Sequence, residues 1–193
     1  TTDAIFNVRI LMEKLVEKQQ SFHAVFVDLE KAYDTVPREL IYNSLRYQKV
    51  PEAYNRLIAD MYDKSQTRVK CKQGVSRPFD VTIGLHQGSA LSPFLFIVIL
   101  DYICKDICDA LPWDQLYADD LQTAGTNHDA VEKKLNQWTK SLEENGLRVS
   151  REKTEYLTTE NNGDSIKIYD MEIKKVSNFK YLGSVVSSAG DCA

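Results

Sequence analysis

No stretch of about 18 apolar residues, the length a bilayer-spanning helix needs, occurs in this 193-residue sequence. The run Phe94 to Leu100 is broken by Asp101 and Lys105 and is expected to be a core helix. Thr1-Thr2-Asp3 offers neither the basic region nor the apolar region of a secretory signal, so we expect an intracellular protein with no membrane partner. Cysteine is scarce: Cys71, Cys104, Cys108 and Cys192 are the whole complement. Cys104 and Cys108 stand one helical turn apart without a matching second pair, which favours buried thiols over a disulfide or zinc, and no structural metal is expected. The three histidines, His23, His86 and His128, lack metal-site spacing, and none is assigned to catalysis. Excess positive charge is missing as well. With 24 basic and 28 acidic residues the formal charge is −4, which argues against strong stand-alone binding to phosphate backbones.

What is present suits an ordinary globular chain, 43% apolar and 27% charged, expected as one domain over 1–193. Ile5, Val8, Leu11, Met12, Leu15 and Val16 recur at helical spacing after Thr2 or Asp3, predicting a first helix packed on a sheet. A strand over Phe22 to Leu29 follows, then helices opening near Pro37 and Pro51 with proline in the first turn. Arg68 to Gln73 and Phe79 to Ile83 read as a hairpin around Gly74. A helix from Asp129 to Asn145 should end at Gly146. Strands near Glu155 to Thr159, Ile166 to Tyr169, Met171 to Val176 and Phe179 to Gly183 complete the order. The hairpins favour an α+β fold, an antiparallel sheet backed by helices, over a parallel doubly wound one.

The most informative residues are Tyr117-Ala118-Asp119-Asp120, two adjacent carboxylates between apolar segments that read as a hairpin with charge at its tip. Unpaired buried charges cost several kcal/mol, roughly, so these acids must meet solvent, a cation or a ligand. About ninety residues upstream, Phe22 to Leu29 reads as a buried strand that carries Asp28 near its end. One aspartate on each of two neighbouring strands is the geometry a pair of Mg²⁺ ions needs to clamp an in-line phosphoryl displacement. Between them Gly84-Leu85-His86-Gln87-Gly88-Ser89-Ala90-Leu91-Ser92-Pro93 reads as a loop opening a helix, with Ser92 at the N-cap and Pro93 first inside. Gly84 and Gly88 would let backbone approach a ligand. Lys64, Arg68, Lys70, Lys72 and Arg77 fall in a stretch without an acid. That stretch is either a tracker of template backbone or a solvated edge strand guarded by lysines.

These residues carry a resemblance. Phe26-Val27-Asp28-Leu29-Glu30-Lys31-Ala32-Tyr33-Asp34-Thr35-Val36-Pro37 resembles motif A of reverse transcriptases, Gly84 to Pro93 their motif B, and Tyr117 to Asp120 their motif C. Gly146-Leu147-Arg148-Val149-Ser150 with Lys153-Thr154 looks like motif D, and Phe179-Lys180-Tyr181-Leu182-Gly183 like motif E, the primer grip. Order and spacing resemble the non-LTR (LINE-type, RTE-like) retrotransposon branch. The resemblance implies an RNA-directed DNA polymerase palm, ferredoxin-like or RRM-like, with part of the fingers; most of the fingers and the thumb are not in these residues. It implies Asp28 and Asp119 as holders of two Mg²⁺ or Mn²⁺ ions, with Leu29 beside them and Asp120 as a neighbouring carboxylate held through water or in a structural role. It implies Tyr33 and Ala32 with Gln87 and Gly88 at the deoxynucleotide, and Lys153 as proton donor to pyrophosphate. Arg68, Lys70, Lys72, Tyr181, Leu182 and Gly183 would contact nucleic acid. The implied partners are an RNA template, a DNA primer and dNTPs, in nucleus and cytoplasm; the sequence names no protein partner. Alternatives stand beside these roles: Tyr33 as a core aromatic, Lys153 as a solvated lysine, Asp34 as a helix cap outside the site, and the whole chain as a decayed palm serving as a binding scaffold.

Overall fold

The structure, a computed structural model, describes residues 2–109, 112–160 and 164–188. Cys192 lies outside them. Along the chain run α1 (Thr2–Glu17), β1 (His23–Val27), α2 (Ala32–Thr35), α3 (Arg38–Tyr47), α4 (Glu52–Tyr62), β2 (Gln66–Thr67), β3 (Lys70–Cys71), β4 (Gly74–Val75), β5 (Phe79–Asp80) and α5 (Leu91–Cys104). Then come β6 (Asp114–Tyr117), β7 (Asp120–Gly125), α6 (His128–Glu144), β8 (Glu155–Thr158), β9 (Lys167–Ile168), β10 (Met171–Glu172), β11 (Lys174–Val176), β12 (Asn178–Tyr181) and β13 (Ser184–Ser187). The described residues within Thr1–Glu30 and Ile103–Ala193 form one compact unit, and Lys31–Tyr102 forms a second.

The first unit is built on a five-stranded sheet ordered β11-β8-β1-β7-β6. Its centre, β1, is buried at every position and pairs antiparallel with both β7 and β8. Successive strand residues face opposite sides. Ala24 and Phe26 therefore meet the α1 face, in one core with Val8, Leu11, Met12, Leu15, Ala124 and Leu157. His23, at the opposite parity, meets His128 of α6, whose Val131, Leu135, Trp138 and Leu142 are buried. Each such aliphatic side chain contributes about 1.5–3 kcal/mol on burial. The expected apolar stripe of α1 is turned slightly: Ala4 is buried, whereas Val16 is 51% exposed. β11 departs from the expected antiparallel pattern by pairing parallel to β8. A parallel neighbour needs a long connection, and the stretch holding the β9–β10 hairpin supplies it. β12 and β13 form a separate two-stranded sheet, with Phe179 stacked on Phe26 at 3.9 Å.

Two local outcomes depart from the sequence pattern. Pro37 and Pro51 sit at the N-cap positions of α3 and α4 rather than inside the first turn. α5 begins at Leu91, so Ser92 is no cap; its hydroxyl donates to the His86 carbonyl at 2.6 Å. α6 ends as expected at Gly146, in the left-handed region, and opens at a cap the sequence reading did not name, the Asn127 side chain accepting from the Ala130 N–H at 2.9 Å. An acid the sequence did not single out, Asp114, is buried at the start of β6 and paired with the Lys134 ammonium at 2.6 Å. Cys71 is exposed, Cys104 buried and Cys108 between these, and none forms a disulfide.

In the second unit, residues 66–80 carry two nested ladders, β2 with β5 and β3 with β4. The turn falls at Lys72-Gln73, placing Gly74 inside β4 rather than at the tip. All of 66–80 is exposed, with Lys70 in β3, Lys72 in the turn and Arg68 between β2 and β3. No helix among the described residues is long and apolar enough to cross a membrane.

His23 is 1% exposed, with its Nδ1 at 2.6 Å from the Tyr156 hydroxyl and 3.2 Å from that of Thr158. Burial pushes its pKa down, against the pull of Glu160. The folded state thus binds fewer protons at this ring than the unfolded chain, whose histidine titrates near about 6.5. The stability it contributes is present above that value and is lost as pH falls below it. His128 carries the opposite sign, raised by its hydrogen bond to Asp129. The thermal midpoint of wild type should therefore drop more between pH 7.5 and 5.5, roughly the window below the free histidine pKa, than that of His23→Asn, which keeps an acceptor and removes the titration. Parallel curves for the two proteins would refute this role.

Candidate active site

The acids converge at the end of the central strand because of register. Val27 pairs with Leu121 in the β1–β7 ladder and Tyr117 pairs with Asp120 in the β6–β7 ladder. One further step places Asp28 across from Asp120, on the same face of the sheet. Asp119 occupies the two-residue turn with Ala118, whose φ is +54°. Asp120 feels both neighbours: burial raises its pKa first, and the Asp119 and Asp28 charges raise it further. Asp120, expected as a neighbouring carboxylate, is thus the one whose register lies opposite Asp28.

The segment after α6 holds Asp28 in place. The Ser150 N–H donates to the Asp28 carbonyl at 2.8 Å, the Glu30 N–H donates to Arg148 O at 2.8 Å, and the Asp28 N–H donates to the Thr154 hydroxyl at 3.3 Å. Leu29 bridges Val149 through these flanking bonds, which leave its own carbonyl out of the bridge. Its side chain is buried, so any ligand role falls to that oxygen. Lys153, expected near a strand, lies in a turn, 73% exposed, with its ammonium 3.6 Å from Asp28 Oδ2. That oxygen is buried without a hydrogen-bond partner.

These features fit a cation. Carboxylates that repel one another, with one oxygen orphaned, are relieved by positive charge. Among the described residues no cluster of three or more His, Cys, Asp and Glu is arranged to hold a metal by itself. The fit is therefore to an ion such as Mg²⁺ that takes one or two carboxylates and fills its octahedron with water and phosphate oxygens.

The second unit gathers the other predicted residues. Tyr33, His86, Gln87, Gly88, Ser89, Ala90, Ser92 and Pro93 line a cleft of about 410 Å³. The Tyr33 ring stacks on Phe96 at 4.7 Å while facing this cleft, so the packing and lining readings of Tyr33 hold together. Ala32 is buried, and its side chain does not reach the cleft wall. Asp34 is no helix cap: it lies within α2 and accepts from Gln87 Nε2 at 2.6 Å. Sequence reading placed His86 in this loop without a role and missed the Asp34–Gln87 contact, since neither spacing nor local pattern links α2 to a loop fifty residues on. Gly84 also serves differently from expectation. A Cβ there would lie 2.7 Å from the Asp34 carbonyl oxygen, so its role is close packing on α2, whereas a Cβ at Gly88 would meet nothing within 4 Å.

Of the residues assigned to nucleic acid, Arg68, Lys70 and Lys72 are exposed on the β2–β5 hairpin. Tyr181 is not at the surface: it is 1% exposed, packed against Phe26 and Phe179, with burial pushing its hydroxyl up to about 12. Leu182 and Gly183, both at positive φ, form the turn beside it.

The family described as reverse transcriptase (RNA-dependent DNA polymerase) matches residues 2–186. The chain belongs to this family. It is similar to the Pol polyprotein of a type-1 R2 retrotransposable element from Nasonia vitripennis, 24% identical over 95% of this chain and 20% of the relative. A corresponding R2 polyprotein from Popillia japonica is 23% identical over 90% of this chain and 32% of the relative. The chain thus spans about a fifth to a third of these curated relatives. An apo telomerase from Candida tropicalis, truncated from its C-terminal domain, superposes with a TM-score of 0.74 at 17% identity, covering 100% of this chain and 40% of that one. That likeness establishes the fold, an α+β sheet of mainly antiparallel strands backed by helices.

In this reverse transcriptase chain both glycines of the cleft loop have positive φ, +86° at Gly84 and +82° at Gly88. Gly88→Ala should cost about 1 kcal/mol, the left-handed penalty alone. Gly84→Ala should cost roughly 2–4 kcal/mol, because overpacking against backbone adds to it. Equal losses in denaturant unfolding would show that Gly84 does not pack as described.

Proposed function

We propose that in its parent protein this chain supplies the palm and part of the fingers, as one functional domain, of an RNA-directed DNA polymerase of a non-LTR retroelement. The reaction joins a deoxynucleoside triphosphate to a primer 3′-hydroxyl on an RNA template. The observation that carries this reading is the convergence of Asp28, Asp119 and Asp120 with an orphaned, buried Asp28 oxygen. Asp28, Asp119, Asp120 and the Leu29 carbonyl would hold two Mg²⁺ or Mn²⁺ ions. When bound, such ions activate the attacking hydroxyl and offset charge on the departing phosphates.

The side chains of this chain do the rest. Tyr33 lies under the sugar and excludes a 2′-hydroxyl, while Gln87, fixed by Asp34, and the open backbone at Gly88 border the nucleotide. Lys153, already beside Asp28, gives its proton to a pyrophosphate oxygen as the bond to the α-phosphorus breaks. Arg68, Lys70 and Lys72 follow a phosphate backbone, and the Leu182-Gly183 turn meets the primer. The net charge of −4 favours a second reading, a palm that has lost catalysis and serves as a scaffold.

Primer extension by the complete polypeptide separates the two. Asp119→Asn should lower turnover by orders of magnitude and leave the unfolding midpoint nearly unchanged, since the carboxylate acts mainly in the transition state. Activity retained in that variant, or absent from wild type, would sink the catalytic reading. Tyr33→Ala should raise ribonucleotide over deoxynucleotide incorporation, because the excluded volume at the sugar is lost. Unchanged sugar discrimination would return Tyr33 to packing alone.

A further inference from the structure

The loop that forms the cleft in the second unit has no ladder of its own over 81–90, so its shape is imposed by neighbours. One anchor is α2 with the residue that caps its C-terminal end, where Gly84 N–H donates to Val36 O at 2.8 Å and Leu85 N–H to Tyr33 O at 2.7 Å. The other anchor is His86. Its ring stacks on Tyr62 at 4.3 Å and 27°, its N–H donates to the Tyr62 hydroxyl at 3.5 Å, and its Nε2 lies 3.2 Å from the Ser65 hydroxyl.

Tyr62 is the last residue of α4, 2% exposed, and is itself held by Arg38. The Arg38 guanidinium lies over the Tyr62 ring at 5.3 Å. Its Nη1 donates to Tyr62 O at 2.5 Å and its Nη2 donates to Val81 O. One planar cation thus joins the start of α3, the C-terminal end of α4 and the first residue of the cleft loop after β5. The arrangement suits guanidinium chemistry. Terminal helix carbonyls lack partners and attract cations, and a rigid fork reaches two carbonyls and a ring face together, which an ammonium cannot. Ser65 closes the circuit: its hydroxyl donates to Tyr62 O at 2.8 Å, and its carbonyl accepts from the Val81 N–H at 2.8 Å.

We infer that Arg38 is a positioning residue for the nucleotide cleft, acting through Tyr62 and Ser65 on His86 and so on Gln87 and Gly88. The inference rests on the reading of that cleft as the deoxynucleotide site. A guanidinium that merely braced α3 and α4 would affect stability; one that sets the loop also affects how the incoming nucleotide is held.

The test uses the complete polymerase in steady-state primer extension, with Arg38→Lys and the milder Ser65→Ala, which touches His86 and leaves the guanidinium contacts intact. Arg38→Lys should raise the KM for the incoming dNTP about threefold to tenfold, the equivalent of one hydrogen bond, with kcat within about twofold and the KM for primer–template unchanged. Ser65→Ala should move the same constant in the same direction by less. An unchanged dNTP KM in both variants, whatever their loss of thermal midpoint, would reduce Arg38 to a structural brace and overturn the inference while the polymerase reading stands. If Arg38→Lys does not fold, Ser65→Ala decides alone. Wild type that neither extends primers nor binds a fluorescent deoxynucleotide would overturn the cleft reading and this inference with it.

Discussion

The gathering of Asp28, Asp119 and Asp120 at one end of the central sheet, where the Asp119 and Asp28 charges act on Asp120, is the constraint around which the first unit is arranged. Left to themselves, three carboxylates at one sheet end would separate, protonate or draw in a cation. The sheet prevents separation: β1 is buried on both faces and hydrogen-bonded on both edges, and β7 is fixed to it by register. The hydrogen bonds of Asp28 and Glu30 with Arg148, Ser150 and Thr154 of the segment after α6 prevent the strand end from fraying. Positive charge relieves the repulsion that remains, and the Lys153 ammonium lies 3.6 Å from Asp28 Oδ2. The hydrophobic core of α1, β1 and α6 therefore fixes the strand ends that carry these carboxylates.

The second unit solves a different problem. A loop rich in glycine and serine has little apolar surface to bury, so polar groups must shape it. Buried donors and stacked rings, Arg38, Tyr62, His86 and Ser92, do so from one side, and α2 does so from the other. Glycine at 84 allows the backbone of α2 to approach within contact distance, and Asp34 restrains the Gln87 amide.

Charge is distributed unevenly between these solutions. The chain is acidic overall, yet Arg68, Lys70, Lys72 and Arg77 project from a hairpin that is exposed throughout. Positive charge is thus gathered locally, with Arg68, Lys70 and Lys72 at alternate positions of one exposed hairpin. Exposed ion pairs elsewhere, such as Arg46 with Glu52, contribute little to stability and do not change that balance.

The sequence by itself determined the elements whose signals are local. The amphipathic α1, the α6 helix ended by Gly146, the hairpin with Asp119 and Asp120 at its tip and the buried strand before Asp28 all follow from periodicity, capping and turn chemistry. So does the family, because ordered motifs need no coordinates. Tertiary structure decided what depends on contacts far apart in the chain. It set which aspartate stands opposite Asp28, because register is a property of two strands. It turned Tyr181 into the core and gave Asp34 a partner fifty-three residues away. It made Arg38, one arginine after a proline, the clamp on Tyr62. It paired β11 parallel to β8, against the pattern of the hairpins. Local sequence fixes a backbone's preferences; the partner that satisfies a buried donor, or the charge that faces a carboxylate, is chosen only when the chain has closed on itself.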